Sequence, residues 1–245
     1  MNLKYGVFSD VHGNHVALKA VLEFYRKNEV ENFICCGDIV GYGPQPLECA
    51  ETLRELKNAV IVMGNHDAAM LGKMDLKWFN SNAAWAIDFA RGQLTGKALD
   101  FIARLPEKVE NEKFTLVHGS PRKPLTEYLL SESQFLDNNK DWKFSPCFIG
   151  HSHMPLYFRE RDNGVPETDF LKPAVKIFTT GKVMLNPGAV GQPRDGDVRS
   201  SCGIYDSDKN TFELYRVYYD IGAVQKMMSA LNMPTLLSER LSFGF

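Results

Sequence analysis

Cysteine is scarce in this sequence, and its spacing excludes the usual roles of clustered thiols. The 245-residue chain has five cysteines, and no two of them form a CxxC pair. An odd number with that spacing is poorly suited to a disulfide framework or to a zinc site built from thiolates. Cys35 and Cys36 lie in an apolar run and are expected to be buried as small hydrophobic residues. The predicted compartment is therefore a reducing cytoplasm.

Blocks of like charge and long apolar runs are also missing. The net charge is −2 without a basic cluster, and a sequence-independent nucleic-acid binder usually carries a basic face, so no nucleic-acid partner is expected. No apolar run approaches the ~20 residues of a membrane span. The beginning MNLKYGVFSD resembles a strand rather than the apolar part of a signal peptide, so no membrane partner is expected either. With 44% hydrophobic residues, the chain can bury a full core.

The order of short apolar runs and amphipathic stretches predicts an α/β protein. In the first two-thirds, strands at residues 3–8, 33–36, 60–63, 114–117 and 147–149 alternate with helices at 14–27, 46–56 and 80–105, the last divided near 92–96. The last third has predicted strands at 175–178, 183–185, 203–205 and 212–217, a surface loop at 163–173 and a closing helix at 220–231. We expect a second sheet packed on the first, and a single domain over residues 1–245.

Five blocks of the sequence share one arrangement, an apolar strand followed at once by polar side chains that can bind metal. In α/β sheets, ligands gather just beyond the carboxyl ends of the strands. These blocks therefore predict that nine side chains meet at one rim. They are Asp10 and His12 in FSDVHGN, Asp38 in CCGDIVGYG, Asn65, His66 and Asp67 in VMGNHD, His118 in LVHGS, and His151 and His153 in FIGHSH.

The types of side chain favour a transition-metal site. Imidazole and carboxylate without thiolate suit Mn, Fe, Zn, Co or Ni better than Mg or Ca. Asp10 and His12 are two residues apart and can reach one ion, and Asp38 stands alone, as a bridging carboxylate would. Each motif by itself is weak, because a lone histidine near a strand end is more often an ordinary surface or core residue. Five of the six histidines fall in these blocks, however, and this joint occurrence favours metal binding.

In order and context, the pattern DxH…GD…GNHD…H…GHxH resembles the calcineurin-like metallophosphoesterases. The motifs extend from Asp10 to His153. The resemblance implies a four-layer α/β/β/α sandwich and two divalent transition-metal ions, Mn²⁺ first and Fe, Zn, Ni or Co as alternatives. It implies that one ion is held by Asp10, His12, Asp38 and His153, and the other by Asp38, Asn65, His118 and His151. It also implies that His66 lies near the substrate, and Asp67 is expected to orient the His66 ring.

The residues at several motif positions distinguish this chain from two branches of that family. Protein serine/threonine phosphatases and symmetrical dinucleoside-tetraphosphatases usually have GDxVxRG, whereas this chain has Gly41 and Tyr42 in place of the polar–arginine pair. The segments GYGPQP, HGSPR and NPGAVGQPRDG are similar instead to a compact bacterial and archaeal phosphodiesterase-like branch. Ala189 stands where that branch would be expected to have serine.

Three further residues are candidates for substrate binding: Tyr42, Arg122 and Arg194. Arg194 lies in a loop rich in glycine and proline, where a fixed bidentate donor to phosphate is plausible. The alternative is that Arg194 caps a turn or pairs with Asp195 or Asp197, and the sequence does not decide between the two.

The resemblance implies two-metal hydrolysis, in which a metal-bridging hydroxide attacks phosphorus and His66 protonates the leaving oxygen or binds the phosphoryl group. We therefore predict a phosphodiesterase or phosphatase acting on a small-molecule phosphate ester. One alternative is a nuclease on the same fold. The other is a non-enzymatic metal-binding scaffold, against which the complete ligand set argues. The sequence leaves the substrate, the native metal and the oligomeric state open.

Overall fold

Two six-stranded sheets form the centre of the computed structural model, which describes residues 3–161 and 163–245. The first sheet has the order β3-β2-β1-β11-β12-β9, and the second has the order β4-β5-β6-β10-β7-β8. The strands are β1 (Lys4–Phe8), β2 (Asn32–Cys35), β3 (Ala59–Ile61), β4 (Lys108–Asn111), β5 (Phe114–Val117), β6 (Cys147–Phe148), β7 (Pro155–Glu160), β8 (Pro166–Phe170), β9 (Lys176–Phe178), β10 (Val183–Pro187), β11 (Ser200–Asp206) and β12 (Thr211–Val217).

Helices cover the outer faces of these sheets. They are α1 (His15–Lys27), α2 (Pro46–Glu55), α3 (Asn65–Met70), α4 (Ser81–Gln93), α5 (Gly96–Ala103), α6 (Glu132–Asn138), α7 (Ile221–Ala230) and α8 (Thr235–Glu239), with short 3₁₀ turns at Leu76–Trp78 and Arg240–Ser242. Asn14 caps α1 by accepting a hydrogen bond from the Ala17 amide at 3.1 Å, which satisfies one of the free donors at the helix start.

The alternation of side chains along β1 shows how the layers form. Tyr5 and Val7 face the second sheet and belong to the apolar layer between the sheets, together with Phe148. Phe8 points the other way, into the cluster under α1, and the Tyr25 hydroxyl of α1 donates to the Val7 carbonyl at 2.9 Å. A strand buried on both faces needs a cover on each side. The predicted four-layer α/β/β/α sandwich is confirmed.

The parallel pairings bring the ends of the motif-bearing strands into line. In the first sheet, Phe8 pairs with Cys35, and Cys35 pairs with Ile61. In the second sheet, Leu116 pairs with Phe148. Because these strands run in the same direction within each sheet, the residues that follow them emerge at one edge.

The structure corrects two sequence expectations. The four strands predicted in the last third do not form the second sheet by themselves, because β9, β11 and β12 join the first sheet and, of these four, β10 alone joins the second, at its centre. The prediction of a surface loop at 163–173 is wrong for Pro166–Phe170, which forms the edge strand β8 against β7. Pro166 occupies the first position of that edge strand, where its missing N–H is tolerated.

The C-terminal helices pack back onto the rest of the chain. Val224 and Met228 of α7 and Leu237 of α8 form one apolar cluster with Tyr42 and with Ala83 of α4. We propose on this basis that residues 1–245 are a single domain. Each of the five cysteines is buried and free, as the sequence predicts for Cys35 and Cys36. Over residues 3–161 and 163–245, none of the helices combines the length and apolarity that a membrane crossing needs.

Candidate metal centre

Six residues of the strand-end motifs have a left-handed backbone conformation. Their φ values lie between 47° and 65°, a region that costs L-residues roughly 1–2 kcal/mol each. Such conformations concentrate at functional sites, where the surrounding structure holds them. The six are Asp10, His12, Asp38, Tyr42, His151 and His153. A glycine makes room for one of them, because a Cβ on Gly64 would lie 2.0 Å from the Asp38 carboxylate.

His12 and His153 face each other with unprotonated nitrogens. His12 Nδ1 lies 3.0 Å from the Val40 carbonyl, and His153 Nδ1 lies 2.6 Å from the Gln192 carbonyl. A carbonyl only accepts, so each ring carries its proton on Nδ1. Burial lowers the pKa of both imidazoles well below the usual value, which favours the neutral form of both rings. Their Nε2 lone pairs therefore meet at 3.0 Å, an arrangement that a cation would stabilise.

Asp10 completes this first group. Its carboxylate oxygen Oδ1 lies 3.3 Å from His153 Nε2 and 3.7 Å from His12 Nε2. Both Asp10 oxygens are buried without a hydrogen-bond partner among the residues that the structure describes. Burial raises the pKa of this carboxyl to about 7. Buried polar atoms are normally satisfied, so two orphaned oxygens beside two imidazole lone pairs fit a metal ion.

A second group lies around His118. His118 Nδ1 is 2.8 Å from the Cys36 carbonyl, and its Nε2 is 2.9 Å from Asn65 Oδ1 and 3.2 Å from His151 Nδ1. Burial alone would lower the pKa of His118, but the Asp38 carboxylate, together with Asp10 and the Cys36 carbonyl, outweighs burial and raises it to about 9. The Nε2 position therefore favours a positive charge, whether a proton or a metal ion.

Asp38 lies between the two groups. Its Oδ2 is 3.5 Å from His12 Nε2 and 3.4 Å from His118 Nε2, while its Oδ1 accepts from the His66 amide at 2.8 Å. One carboxylate oxygen thus faces a nitrogen of each group, which is the geometry of a bridging ligand. Three overlapping sets have all their ligand atoms within 4.8 Å of one another: Asp10, His12 and His153; His12, Asp38 and His66; and Asp38, His118 and His151.

The model of the calcineurin-like phosphoesterase superfamily domain matches residues 3–210. The chain belongs to this superfamily. It is 36% identical over 245 residues to a Methanocaldococcus jannaschii protein described as uncharacterized, with 97% of each chain covered. The crystal structure of a Sphaerobacter thermophilus metallophosphoesterase is 38% identical, with a TM-score of 0.90 and full coverage of both chains. A symmetrical bis(5'-nucleosyl)-tetraphosphatase of Psychromonas ingrahamii is 41% identical over 68 residues, which are 26% of this chain and 24% of that protein.

Asp67 does not have the predicted role in this superfamily member. Its carboxylate accepts hydrogen bonds from the backbone amides of Ile39, Val40 and Gly64 at 3.0–3.1 Å. The prediction that Asp67 orients the His66 ring is therefore wrong. Residues 65–70 form α3, and neighbouring side chains on a helix point in different directions. Asp67 instead ties the turn at Gly64 to the loop that carries Asp38.

Aromatic rings, rather than a carboxylate, hold His66. Its ring centroid lies 4.6 Å from Tyr42, 4.7 Å from His12 and 5.1 Å from Phe79. Its Nδ1 is buried and finds no hydrogen-bond partner in the described part of the chain. Burial outweighs the opposing charge of Asp38 and lowers the pKa of His66 to about 4, so this environment disfavours the protonated ring that leaving-group protonation would need.

Arg194 is directed toward the histidine cluster. Its guanidinium lies 3.3 Å from the Tyr42 hydroxyl and 3.2 Å from Gln192 Oε1, and its Cζ is 5.6 Å from the Tyr42 ring centroid. The Nε atom is buried and lacks a partner among the described residues. The acidic neighbours proposed as alternative partners are used elsewhere: Asp195 pairs with Arg216, and Asp197 pairs with Arg199.

Arg122 contacts two acidic side chains rather than the histidine cluster. It forms an ion pair with the buried Glu127 and lies 3.2 Å from Asp137. Glu127 also accepts hydrogen bonds from Ser120 and Asn138, so these residues fix the loop that follows β5. The geometry therefore favours a structural role for Arg122 over the predicted contact with substrate.

A cavity of about 190 Å³ opens beside the second group. It is lined by Asn65, His66 and His151 of the cluster and by Trp78 and Tyr128. The Tyr128 ring stacks on His151 with centroids 3.8 Å apart. Neither residue could be predicted from the strand-end motifs, because Trp78 lies on a 3₁₀ turn and Tyr128 on a loop, and only the fold brings them to the cluster.

Proposed function

We propose that this chain is a metal-dependent phosphoesterase that hydrolyses small phosphate esters with two divalent transition-metal ions. Superfamily membership supports a hydrolase. The observation that carries the metal requirement is the pair of neutral imidazoles, His12 and His153, whose Nε2 atoms meet at 3.0 Å beside the orphaned Asp10 carboxylate. No thiolate takes part, so Mn²⁺ is the first expectation and Fe, Zn, Ni or Co are alternatives.

We propose the following ligands for the two ions. Asp10, His12, Asp38 and His153 would hold the first, and Asp38, Asn65, His118 and His151 the second. The bound ions would supply Lewis acidity that activates water and stabilises negative charge on the phosphoryl oxygens. Asn65 is neutral, so it would complete the second set without adding charge that weakens this acidity.

Arg194 is the proposed phosphoryl-binding residue. Its guanidinium is oriented by Tyr42 and Gln192, and its Nε has no competing acceptor among residues 3–161 and 163–245. Charge-assisted bonds from arginine to phosphate are among the stronger hydrogen bonds in proteins. Tyr42 packs on the His12 ring at 4.5 Å and so helps to exclude water from the cluster.

His66 is proposed to contact the phosphoryl group from the side of the cavity. Burial favours the neutral ring, and one nitrogen of a neutral imidazole can donate a hydrogen bond to a phosphoryl oxygen. Protonation of the leaving oxygen by His66 is the competing role, and it requires a charged ring that burial disfavours.

Two other functions remain as alternatives. A nuclease would need to bind a polyanion, and the net charge of −2 does not favour this; a gel assay on single- and double-stranded DNA distinguishes it. A non-enzymatic scaffold would not need two complete sets of metal-binding side chains, so their presence argues against this alternative. Dinucleoside tetraphosphates are included among the test substrates, because a tetraphosphatase is 41% identical to this chain over 68 residues, although Gly41 and Tyr42 depart from the motif of that branch. We also propose a cytoplasmic location, which fits the five free, buried cysteines.

The test is turnover of bis(p-nitrophenyl) phosphate and p-nitrophenyl phosphate by purified protein with and without Mn²⁺. We expect metal-dependent hydrolysis that Asp38→Asn abolishes, since one carboxylate serves both groups. A folded protein that takes up Mn²⁺ but hydrolyses neither ester nor dinucleoside polyphosphates would contradict the proposal.

A further inference from the structure

We infer that the cavity beside His66 binds the base of a nucleoside, so that the substrate is a nucleoside phosphate ester. This inference rests on the proposed phosphoesterase function, since it concerns the same site. Asn65, His66 and His151 belong both to the cavity and to the groups described above. A substrate whose phosphate lies at the cluster would therefore place its adjoining group in this cavity.

Aromatic rings form the walls. Trp78 is 82% exposed on the 3₁₀ turn Leu76–Trp78, a degree of exposure that is unusual for so large an apolar side chain. Tyr128 is half-exposed and is stacked on His151, while Phe79 packs edge-on against His66. Exposed aromatic side chains beside a catalytic cluster are typical platforms for nucleobases, because every base has a π face.

Polar atoms in the walls suit the edge of a base. Asn80 lines the cavity, and its side-chain oxygen accepts from the Ala83 amide at 3.0 Å, which leaves the donors of its amide nitrogen as the group that a base can use. Thr126 adds a hydroxyl group. A base offers acceptors and donors to both groups, whereas an acyl chain offers neither.

Charge and size limit the occupant further. Within the described chain, the residues lining this cavity include no lysine, arginine, aspartate or glutamate, so the cavity is suited to a neutral group rather than to a second phosphate. The volume of about 190 Å³ is below the ~300–1,000 Å³ that holds a whole drug-sized ligand. It therefore suits one ring system attached to a phosphate that lies outside it.

The test compares AMP with ribose 5-phosphate, which has a hydroxyl group in place of the base. Calorimetric titrations are carried out on the intact protein with Mn²⁺ and again without added metal. We expect AMP to bind on the order of 10–100-fold more tightly, the gain typical of base stacking on aromatic side chains. Trp78→Ala should remove most of this preference, and Trp78→Phe should keep most of it.

Trp85 supplies the matched control. It is a partly exposed tryptophan on α4 that stacks on Phe89 and does not line the cavity, so Trp85→Ala should leave the preference unchanged. Equal binding of AMP and ribose 5-phosphate to the unmodified protein would overturn the inference, whatever the variants do. An unchanged preference in Trp78→Ala would also overturn it, because the base would then bind elsewhere.

The outcomes separate this inference from the proposed function. A protein that hydrolyses bis(p-nitrophenyl) phosphate but binds both ligands equally contradicts only the base subsite. A protein that prefers AMP but hydrolyses no ester contradicts the phosphoesterase proposal, and with it the nucleoside ester as substrate, but leaves the base-binding cavity standing.

Discussion

The Nε2 atoms of His12 and His153 lie 3.0 Å apart, although 141 residues separate them in the chain. Each ring is fixed from behind by a backbone carbonyl, that of Val40 or of Gln192. Neither ring can rotate its proton into the gap without losing that hydrogen bond. The backbone thus holds two lone pairs toward one point before any ion arrives, which is the preorganisation expected of a metal site.

The first prediction concerns metal content. Asp38→Asn should reduce Mn²⁺ binding at both groups, whereas His153→Ala should lower the content from two ions per chain to one. Mass spectrometry of metals after loading and dialysis measures this. His15→Ala is the matched control, because the His15 ring bonds to Thr52 at 2.9 Å outside the cluster. Retention of two ions by both variants would rule out these ligand assignments.

The second prediction concerns metal removal. Chelation should lower Tm, because the facing lone pairs and the orphaned Asp10 oxygens would lose the cation that satisfies them. Binding at about 100 times Kd stabilises a folded protein by ~2.7 kcal/mol, which is on the order of 5–11 °C for a chain of this size. Differential scanning fluorimetry with and without Mn²⁺ measures the shift, which should shrink in His153→Ala. An equal Tm in both conditions for the wild-type protein would speak against preorganised sites.

The third prediction concerns Arg194. Arg194→Ala should lower kcat/KM by roughly 10–150-fold, which corresponds to the ~1.5–3 kcal/mol of a hydrogen bond to a charged group, and it should leave the metal content unchanged. Arg199→Ala is the control in the same loop, because Arg199 pairs with Asp197. Steady-state kinetics provides the measurement. If Arg194→Ala only lowered Tm, its role would be structural.

The fourth prediction separates the two roles of His66. If a neutral His66 binds a phosphoryl oxygen, His66→Ala should lose activity to a similar extent on alkyl and nitrophenyl esters and should keep both ions. A much larger loss on alkyl esters would show instead that His66 protonates the leaving group, a step worth ~10²–10⁴-fold that nitrophenolate does not need. Loss of metal in this variant would make His66 a ligand, since its ring also lies within 4.8 Å of His12 and Asp38 ligand atoms.

The fifth prediction concerns pH and the loop that carries Tyr128. Burial alone would raise the pKa of Glu127, but hydrogen bonds, first that from Arg122, outweigh it and lower the pKa from 4.5 to about 2. A lowered carboxyl pKa stabilises the fold above pH 4.5, and this stabilisation is lost as the pH falls toward 2.

Glu127→Gln should therefore lower Tm at neutral pH, and the difference from wild type should narrow between pH 4.5 and 2. Solvent screening limits the contribution of such an ion pair to the free energy of unfolding to about 1 kcal/mol. This corresponds to a change in Tm on the order of 2–4 °C. Glu132→Gln, at an exposed position of α6, should show no comparable change. A difference in Tm that does not vary with pH would exclude this ion pair as its cause.

Much of the candidate metal site could be predicted from local patterns in the sequence. An apolar strand followed at once by aspartate, asparagine or histidine predicts a side chain beyond a strand end, and parallel pairing aligns such ends at one edge. This is why Asp10, Asp38, Asn65, His118 and His151 could be grouped before their positions were known. The alternation of strands and helices predicted the layered α/β architecture for the same reason, since both periodicities are local properties of the chain.

The rest depended on contacts between residues that are distant in sequence. Residues 166–170 carry too few apolar side chains to be recognised as a strand, and only β7 beside them supplies the backbone partners. Asp67 could not be placed without knowing that α3 begins at Asn65 and turns its carboxylate toward the loop of Asp38. Trp78 and Tyr128 share a cavity although 50 positions separate them. The sequence by itself thus determined which side chains can bind metal, whereas tertiary packing alone decided which surface lies beside them.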